Sequence, residues 1–202
     1  MKIGIFGGTF NPIHNGHLNL INSFDTAIGL DKILCIPTNI PPHKSEDNII
    51  SGKDRLNMLT IATAENKKIS PCDVELKTSG KSYTYNTLIM LRKIYFQDDF
   101  YLLMGSDMFL SFDKWFKYKE IFSLATICCA SRQNGDNDAL VKKSIEYKKQ
   151  GGKIIIIKNH VKVLSSSEIR KKITNKISIE NDIPIEVIKY IKEKNLYNYG
   201  CQ

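Results

Sequence analysis

The sequence lacks a membrane anchor, a disulfide framework and the usual nucleotide-binding fingerprints. No run reaches the about 18 apolar residues that a transmembrane helix needs. The first residues enter an apolar stretch at once, so they read as neither membrane span nor signal peptide. Five cysteines (Cys35, Cys72, Cys128, Cys129, Cys201) include no C-x-x-C pair, and three fall in predicted core strands. They read as reduced packing residues of a cytoplasmic protein. No G-x-G-x-x-G follows a strand, which argues against a dinucleotide-binding turn of that kind. Gly80-Lys81-Ser82 resembles the end of a P-loop, but position 75 is Glu where that loop requires Gly. Arginine is scarce as well: 4 of the 29 basic residues.

The net charge of +8 invites a nucleic-acid reading, but the excess is scattered lysine, and lysine is cheap on solvated faces. Aromatic RNA-binding strand motifs are missing too. The same field would draw in small anionic substrates. In a lysine-rich chain, an arginine persists where a planar fork is needed. Arg170 opens a helix after three serines and Arg132 ends a predicted strand, so both suit ligand contact. Arg92 reads as a helix-surface charge and Arg55 as one half of a structural salt bridge.

What the chain does have is Gly7-Gly8-Thr9-Phe10-Asn11-Pro12-Ile13-His14-Asn15-Gly16-His17 behind an apolar strand, Lys2–Phe6. Gly7 and Gly8 are expected to free the backbone for a tight turn and for close approach to a ligand. From His17, the spacing of Leu18, Ile21, Phe24 and Ile28 is helical, with Gly29 as its C-terminal stop. His14 and His17, at i and i+3, project to one side of a helix N-terminus, where N–H groups and the dipole favour an anion. Histidines there also cap or pack helices, and a pair can hold a metal. A third ligand would then be needed, and the nearest, His43, lies on another predicted loop. His160 has no supporting context. The phosphate reading is the one this pattern favours.

Further strands are predicted at Lys32–Ile36, Phe100–Met104, Thr126–Ala130 and Lys153–Ile157. Helices are expected at Asp54–Asn66, capped by Ser51, and at Thr84–Tyr95. Alternation of this kind implies an α/β, Rossmann-like doubly wound parallel sheet with helices on both faces and a small helical C-terminal portion. By length the chain is one domain, residues 1–202. Ligands of such sheets bind at the carboxyl ends of the strands, where Gly7–Gly8 and Gly105–Asp107 fall. Flexible loops are expected at Asn39–Ser51 and Arg132–Asn137.

The segment from Gly7 to His17 resembles the signature of the HxGH nucleotidyltransferases, and within them the bacterial nicotinate-nucleotide adenylyltransferases. Pro41-Pro42-His43-Lys44, Ser82-Tyr83-Thr84 with Thr87-Leu88, Gly105-Ser106-Asp107, Trp115 and Ser165–Arg170 match that family in order, covering about residues 1 to 196. Two positions depart from it: Asn11 stands where Asp is common, and Leu164 where Ile is usual.

The resemblance implies adenylyl transfer from ATP to nicotinic acid mononucleotide, giving deamido-NAD and pyrophosphate. The acceptor phosphate is already anionic, so the site needs donors and cations more than a base. The resemblance places His14, His17 and Arg170 on the ATP phosphates, His17 at the α-phosphate. Gly7, Gly8, Thr9 and Phe10, then Gly105, Ser106 and Asp107, then Ser165, Ser166 and Ser167 complete the ATP site, the last from a C-terminal subregion of about residues 160–202. Asn39, Lys44, Tyr83, Thr84, Trp115 and Arg132 would read the mononucleotide, with Tyr83 and Thr84 offering N–H groups to its carboxylate and Trp115 stacking on its ring. Mg2+ would arrive on the ATP phosphates, with no protein metal cage.

Two other readings stand beside this one. A sibling enzyme would prefer nicotinamide mononucleotide, and a non-catalytic sensor or nucleic-acid binder would keep only the fold. Nothing in the strands sets oligomeric state, and a homo-oligomer is compatible with them.

Overall fold

Six short apolar segments form one parallel sheet: β1 (Lys2–Gly8), β2 (Lys32–Pro37), β3 (Ile69–Pro71), β4 (Asp99–Gly105), β5 (Thr126–Ser131) and β6 (Ile154–Lys158). Their spatial order is β3-β2-β1-β4-β5-β6. Helices α1 (Asn15–Ile28), α2 (Gly52–Thr63), α3 (Thr84–Ile94), α4 (Ser106–Leu110), α5 (Tyr118–Leu124) and α6 (Asn137–Lys149) lie between strands. α7 (Ser166–Thr174) and α8 (Ile185–Glu193) follow the last one. The computed structural model describes residues 1–41, 49–131, 137–158 and 164–198. Among them no helix is long and apolar enough to cross a membrane.

The strands are apolar throughout because both faces are covered, and their period of two sorts side chains between two cores. Ile3 and Ile5 of β1, Leu34 and Ile36 of β2, and Ile127 and Cys129 of β5 meet Leu88, Leu91, Phe122 and Tyr147 from α3, α5 and α6. Phe6, Ile33, Cys35, Cys128 and Ala130 meet Phe24, Met58, Ile173 and Ile188 from α1, α2, α7 and α8 on the opposite face. Burying a side chain such as Phe24 contributes roughly 2 to 3 kcal/mol. This is the expected α/β, Rossmann-like arrangement. Strand order reverses between β1 and β4, which run parallel, and this makes their carboxyl ends the switch-point crevice.

Local expectations met different outcomes. Gly29 closes α1 in the left-handed conformation (φ 67°), and Ser51 caps α2 by accepting the Asp54 N–H at 3.0 Å. α2 runs Gly52–Thr63 rather than Asp54–Asn66, and the edge strand β3 was not expected. Gly7 and Gly8 do not make the turn: they are the last residues of β1, and the left-handed residue is Phe10 (φ 48°). Arg92 is not a surface charge. Its guanidinium donates to the carbonyls of Asp98 (2.6 Å), Leu124 (2.9 Å) and Tyr95 (3.3 Å), and lies 4.0 Å from the centre of the Phe100 ring. No disulfide joins the described cysteines.

Candidate active site

α1 begins at a cap made of two imidazoles. His14, in extended backbone, accepts the His17 N–H on its Nδ1 at 3.3 Å, and the His17 Nδ1 accepts the His14 N–H at 3.3 Å. This is a reciprocal capping box with histidine where Ser or Thr and Glu are usual. The two rings stack at 3.6 Å between centroids, 20° from parallel. Their Nδ1 atoms are both acceptors, so the ring protons sit on Nε2. His14 is 4 % exposed, and burial pulls its pKa down to about 4. It is therefore a neutral donor at physiological pH.

The surrounding residues hold that geometry. Phe10 meets the His17 ring edge-on at 5.2 Å. A Cβ at Gly16 would lie 3.1 Å from His14 Nδ1 and 3.2 Å from Leu164 Cβ, so the residue between the histidines has to be small. The Asn15 N–H donates to the Asp182 carbonyl at 2.8 Å, fixing the helix start from the C-terminal side.

The second predicted ATP element meets the first. Arg170 donates to the Asn11 carbonyl at 2.8 Å and Ser166 Oγ to the Pro12 carbonyl at 2.9 Å; the Asn11–Pro12 peptide is cis. Arg170 also approaches Ser167 Oγ at 3.4 Å. Ser165 stands at the N-cap of α7, but its side chain makes no capping bond, and the helix starts at Ser166, within the serine run and four residues before Arg170. β4 delivers Gly105 as the N-cap of α4, with Ser106 buried and Asp107 exposed in the first turn. A Cβ at Gly7 or Gly105, on neighbouring strands, would meet no heavy atom within 4 Å. The strand ends are open there.

Of the predicted mononucleotide residues, Asn39, Tyr83, Thr84 and Trp115 are among those described. The Asn39 N–H donates to Ser82 Oγ at 3.0 Å, and the Asn39 amide donates to the Thr78 carbonyl at 2.8 Å. Tyr83 caps α3 without a side-chain bond, and Thr84 is the first helical residue. The Tyr83 ring lies 4.9 Å from that of Phe116, and the half-buried Trp115 packs on Phe112 at 5.2 Å. Lys44 and Arg132 lie outside the described residues, as do His43, His160 and most of the two loops expected to be flexible.

Three residues without an assigned binding role connect these parts. Arg55, 2 % exposed, donates to the carbonyls of Thr38 (2.6 Å), Thr9 (2.8 Å) and Ile50 (3.2 Å). It is a structural residue, as expected, but it binds carbonyls rather than forming a close salt bridge. It ties the turn that follows β1 to the loop that carries Asn39. Burial lowers the Arg55 pKa, with the Glu75 charge opposing. Glu75 is buried and accepts the Thr87 hydroxyl at 2.7 Å; burial raises its pKa, and the Thr87 bond opposes that rise. Tyr197 donates its hydroxyl to Asn11 Oδ1 at 2.9 Å. The scarcity of arginine was the one sequence signal for Arg55. Nothing local marks Glu75 or Tyr197, whose partners are distant in the chain.

The cytidylyltransferase-like family model matches residues 5–172. A probable nicotinate-nucleotide adenylyltransferase from Borrelia hermsii is 35 % identical over 200 residues, covering 99 % of this chain and 100 % of that protein. The Fusobacterium nucleatum protein of the same name is 35 % identical over 195 residues, 96 % of this chain and 98 % of its own. Among solved structures, Plasmodium falciparum nicotinic acid mononucleotide adenylyltransferase complexed with NaAD superposes with a TM-score of 0.82. The two are 23 % identical, with 100 % of this chain and 99 % of that one covered, a likeness of fold. The histidine-capped helix at the switch point, the facing Arg170 and these whole-length relatives lead to one assignment: the chain belongs to the nicotinate-nucleotide adenylyltransferase family of cytidylyltransferase-like nucleotidyltransferases.

Proposed function

We propose that this enzyme joins ATP to nicotinic acid mononucleotide, forming deamido-NAD and pyrophosphate as a step of NAD biosynthesis. The observation that carries the reading is the stacked, neutral His14–His17 pair at a helix N-terminus, beside Arg170 on the Asn11 carbonyl. An oxygen of the mononucleotide 5′-phosphate bonds to the α-phosphorus of ATP, and the bond from that phosphorus to the bridging oxygen breaks. Pyrophosphate leaves with the electron pair. The nucleophile is already anionic, so no side chain has to take a proton.

Within this reading, His17 donates Nε2–H to the α-phosphate and His14 to a neighbouring phosphate oxygen. Arg170 and the amides of α7 hold the β- and γ-phosphates. The open strand ends at Gly7 and Gly105 accept the nucleoside, with Gly8, Thr9, Phe10, Ser106 and Asp107 around it. Ser165, Ser166 and Ser167 line the phosphate side. Asn39, Lys44 and Arg132 serve the mononucleotide's phosphate and ribose. The N–H groups at Tyr83 and Thr84 take its carboxylate, and Trp115 its ring.

Magnesium accompanies ATP and screens the charge on its phosphates. Among the described residues no three His, Cys, Asp or Glu side chains are grouped to cage an ion. A hydrated ion carried on the phosphates would have Asp107, exposed in the first turn of α4, as its nearest proposed carboxylate. The whole chain works as one cytoplasmic unit on small molecules, without nucleic acid.

The test is pyrophosphate release with ATP and magnesium, comparing acid and amide mononucleotides. Turnover with the acid well above the amide is expected. Release with neither would sink the assignment, and preference for the amide would reassign the second substrate.

A further inference from the structure

Lys117 breaks two local rules at once. It is a non-glycine residue in the left-handed region (φ 52°, ψ 41°), a backbone that glycine or asparagine adopts at lower cost. It is also the N-cap of α5, where its side chain caps nothing. The helix dipole there disfavours a cation, and Ser or Asp would be the usual choice. Where local preference is overridden at a single residue, the compensating gain lies elsewhere, most often in function.

The direction of the side chain shows where. The left-handed turn brings the Lys117 ammonium over the Tyr85 ring, 4.6 Å from its centre, and 5.5 Å from that of Phe116. Phe116 in turn touches Tyr83 at 4.9 Å and Tyr85 at 6.2 Å. Tyr83 is the N-cap of α3, and Tyr85 sits in the first turn of that helix, which has no side-chain cap. The ammonium is thus held by two aromatic faces, one of them from the first turn of α3, two residues from Trp115.

We infer that Lys117 is a specificity-determining residue: its ammonium pairs with the ring carboxylate of the acid mononucleotide and so selects the acid over the amide. The inference rests on the mononucleotide half-site proposed above. An amide offers neither the charge for this ion pair nor two acceptor oxygens for the ammonium and the α3 N–H groups. The aromatic contacts hold the long side chain in place, so less freedom is lost when the carboxylate arrives.

The experiment measures kcat/KM for both mononucleotides at saturating ATP and magnesium, with thermal melts, for the full chain and three variants. Lys117→Gln and Lys117→Gly should each lower the acid-to-amide ratio about fivefold or more, through KM for the acid and with KM for ATP unmoved. Lys117→Gly, which relieves the left-handed backbone, should melt no lower than the parent, separating the specificity loss from a folding defect. Lys119→Gln removes the same charge two residues on and should keep the ratio. A ratio within about twofold of the parent in Lys117→Gln overturns the inference, as does an equal fall in Lys119→Gln, which would point to the general positive field. If the parent turns over neither mononucleotide, the proposed reaction falls and the inference with it.

Discussion

Each histidine of the pair spends one ring nitrogen on the other's main-chain N–H, and this fixes both tautomers before any ligand arrives. Charging His14 would put an imidazolium against its stacked neighbour in a buried place. His14 accordingly titrates at about 4 against an ordinary 6.5, because burial penalises the cation. The unfolded chain therefore takes the proton first. The stability owed to neutral His14 is complete above about pH 6.5 and is lost as the pH falls toward 4, with a ceiling of about 3 kcal/mol. Urea unfolding at intervals through that window should show the decline, and His14→Asn should show it reduced by that amount. His17→Ala should lower kcat by roughly 100-fold or more, as loss of a transition-state donor does, while removing one cap costs only about 1 kcal/mol. Steady-state kinetics beside a melt would show the contrast, and near-normal turnover would make the pair structural.

At the scale of elements, β1, β2 and α2 are joined by one guanidinium. Arg55 reaches the carbonyls of Thr9, Thr38 and Ile50, and a lysine ammonium cannot reproduce that fork. Arg55→Lys should cost roughly 2 to 4 kcal/mol in chemical unfolding and raise KM for both substrates, because both half-sites hang from it. A variant of parental stability with one KM shifted would contradict this. Most elements were legible from periodicity, because strands buried on both faces and the α1 stripe announce themselves. α6 was not. Its inward face is Leu140, Ser144 and Tyr147, while Val141 and Ile145 are about half exposed, so apolar spacing misreports which side is covered. β3 has three residues and ends in Pro71, too short to show a period. The carbonyl partners of Arg55 and of Arg92 were missed for a common reason: composition shows that a charge exists, but only tertiary packing shows which carbonyls surround it. The residues expected at the phosphates could be nominated from sequence because they sit in contiguous motifs. The role of Lys117 depends on a backbone region that sequence does not display.

Across the whole molecule, the last described turn comes back to the first loop. Tyr197 donates to Asn11 Oδ1, while the Asn11 carbonyl receives Arg170. Tyr190 donates to Asp54 Oδ1 at 2.9 Å and receives the Asn57 amide at 2.8 Å, seating α8 on α2. Asn11 thus acts through its acceptor oxygen without needing a charge. Tyr197→Phe removes that donor from a buried amide and should cost about 1 to 2 kcal/mol. It should also raise KM for ATP more than KM for the mononucleotide, because the Asn11 carbonyl positions Arg170. Equal shifts in both would mean that the tail stabilises without addressing the ATP side.

The imidazole cap on α1 has an evolutionary consequence. Serine or aspartate at position 14 would start the helix at least as well, so a screen for thermal tolerance has reason to choose them. Each removes the ring nitrogen that, in the proposed reaction, donates to the ATP phosphates. Tolerance to heat and turnover therefore pull in opposite directions at this residue. A lineage or a designer improving one would erode the other, and histidine persists there only while the reaction is under selection.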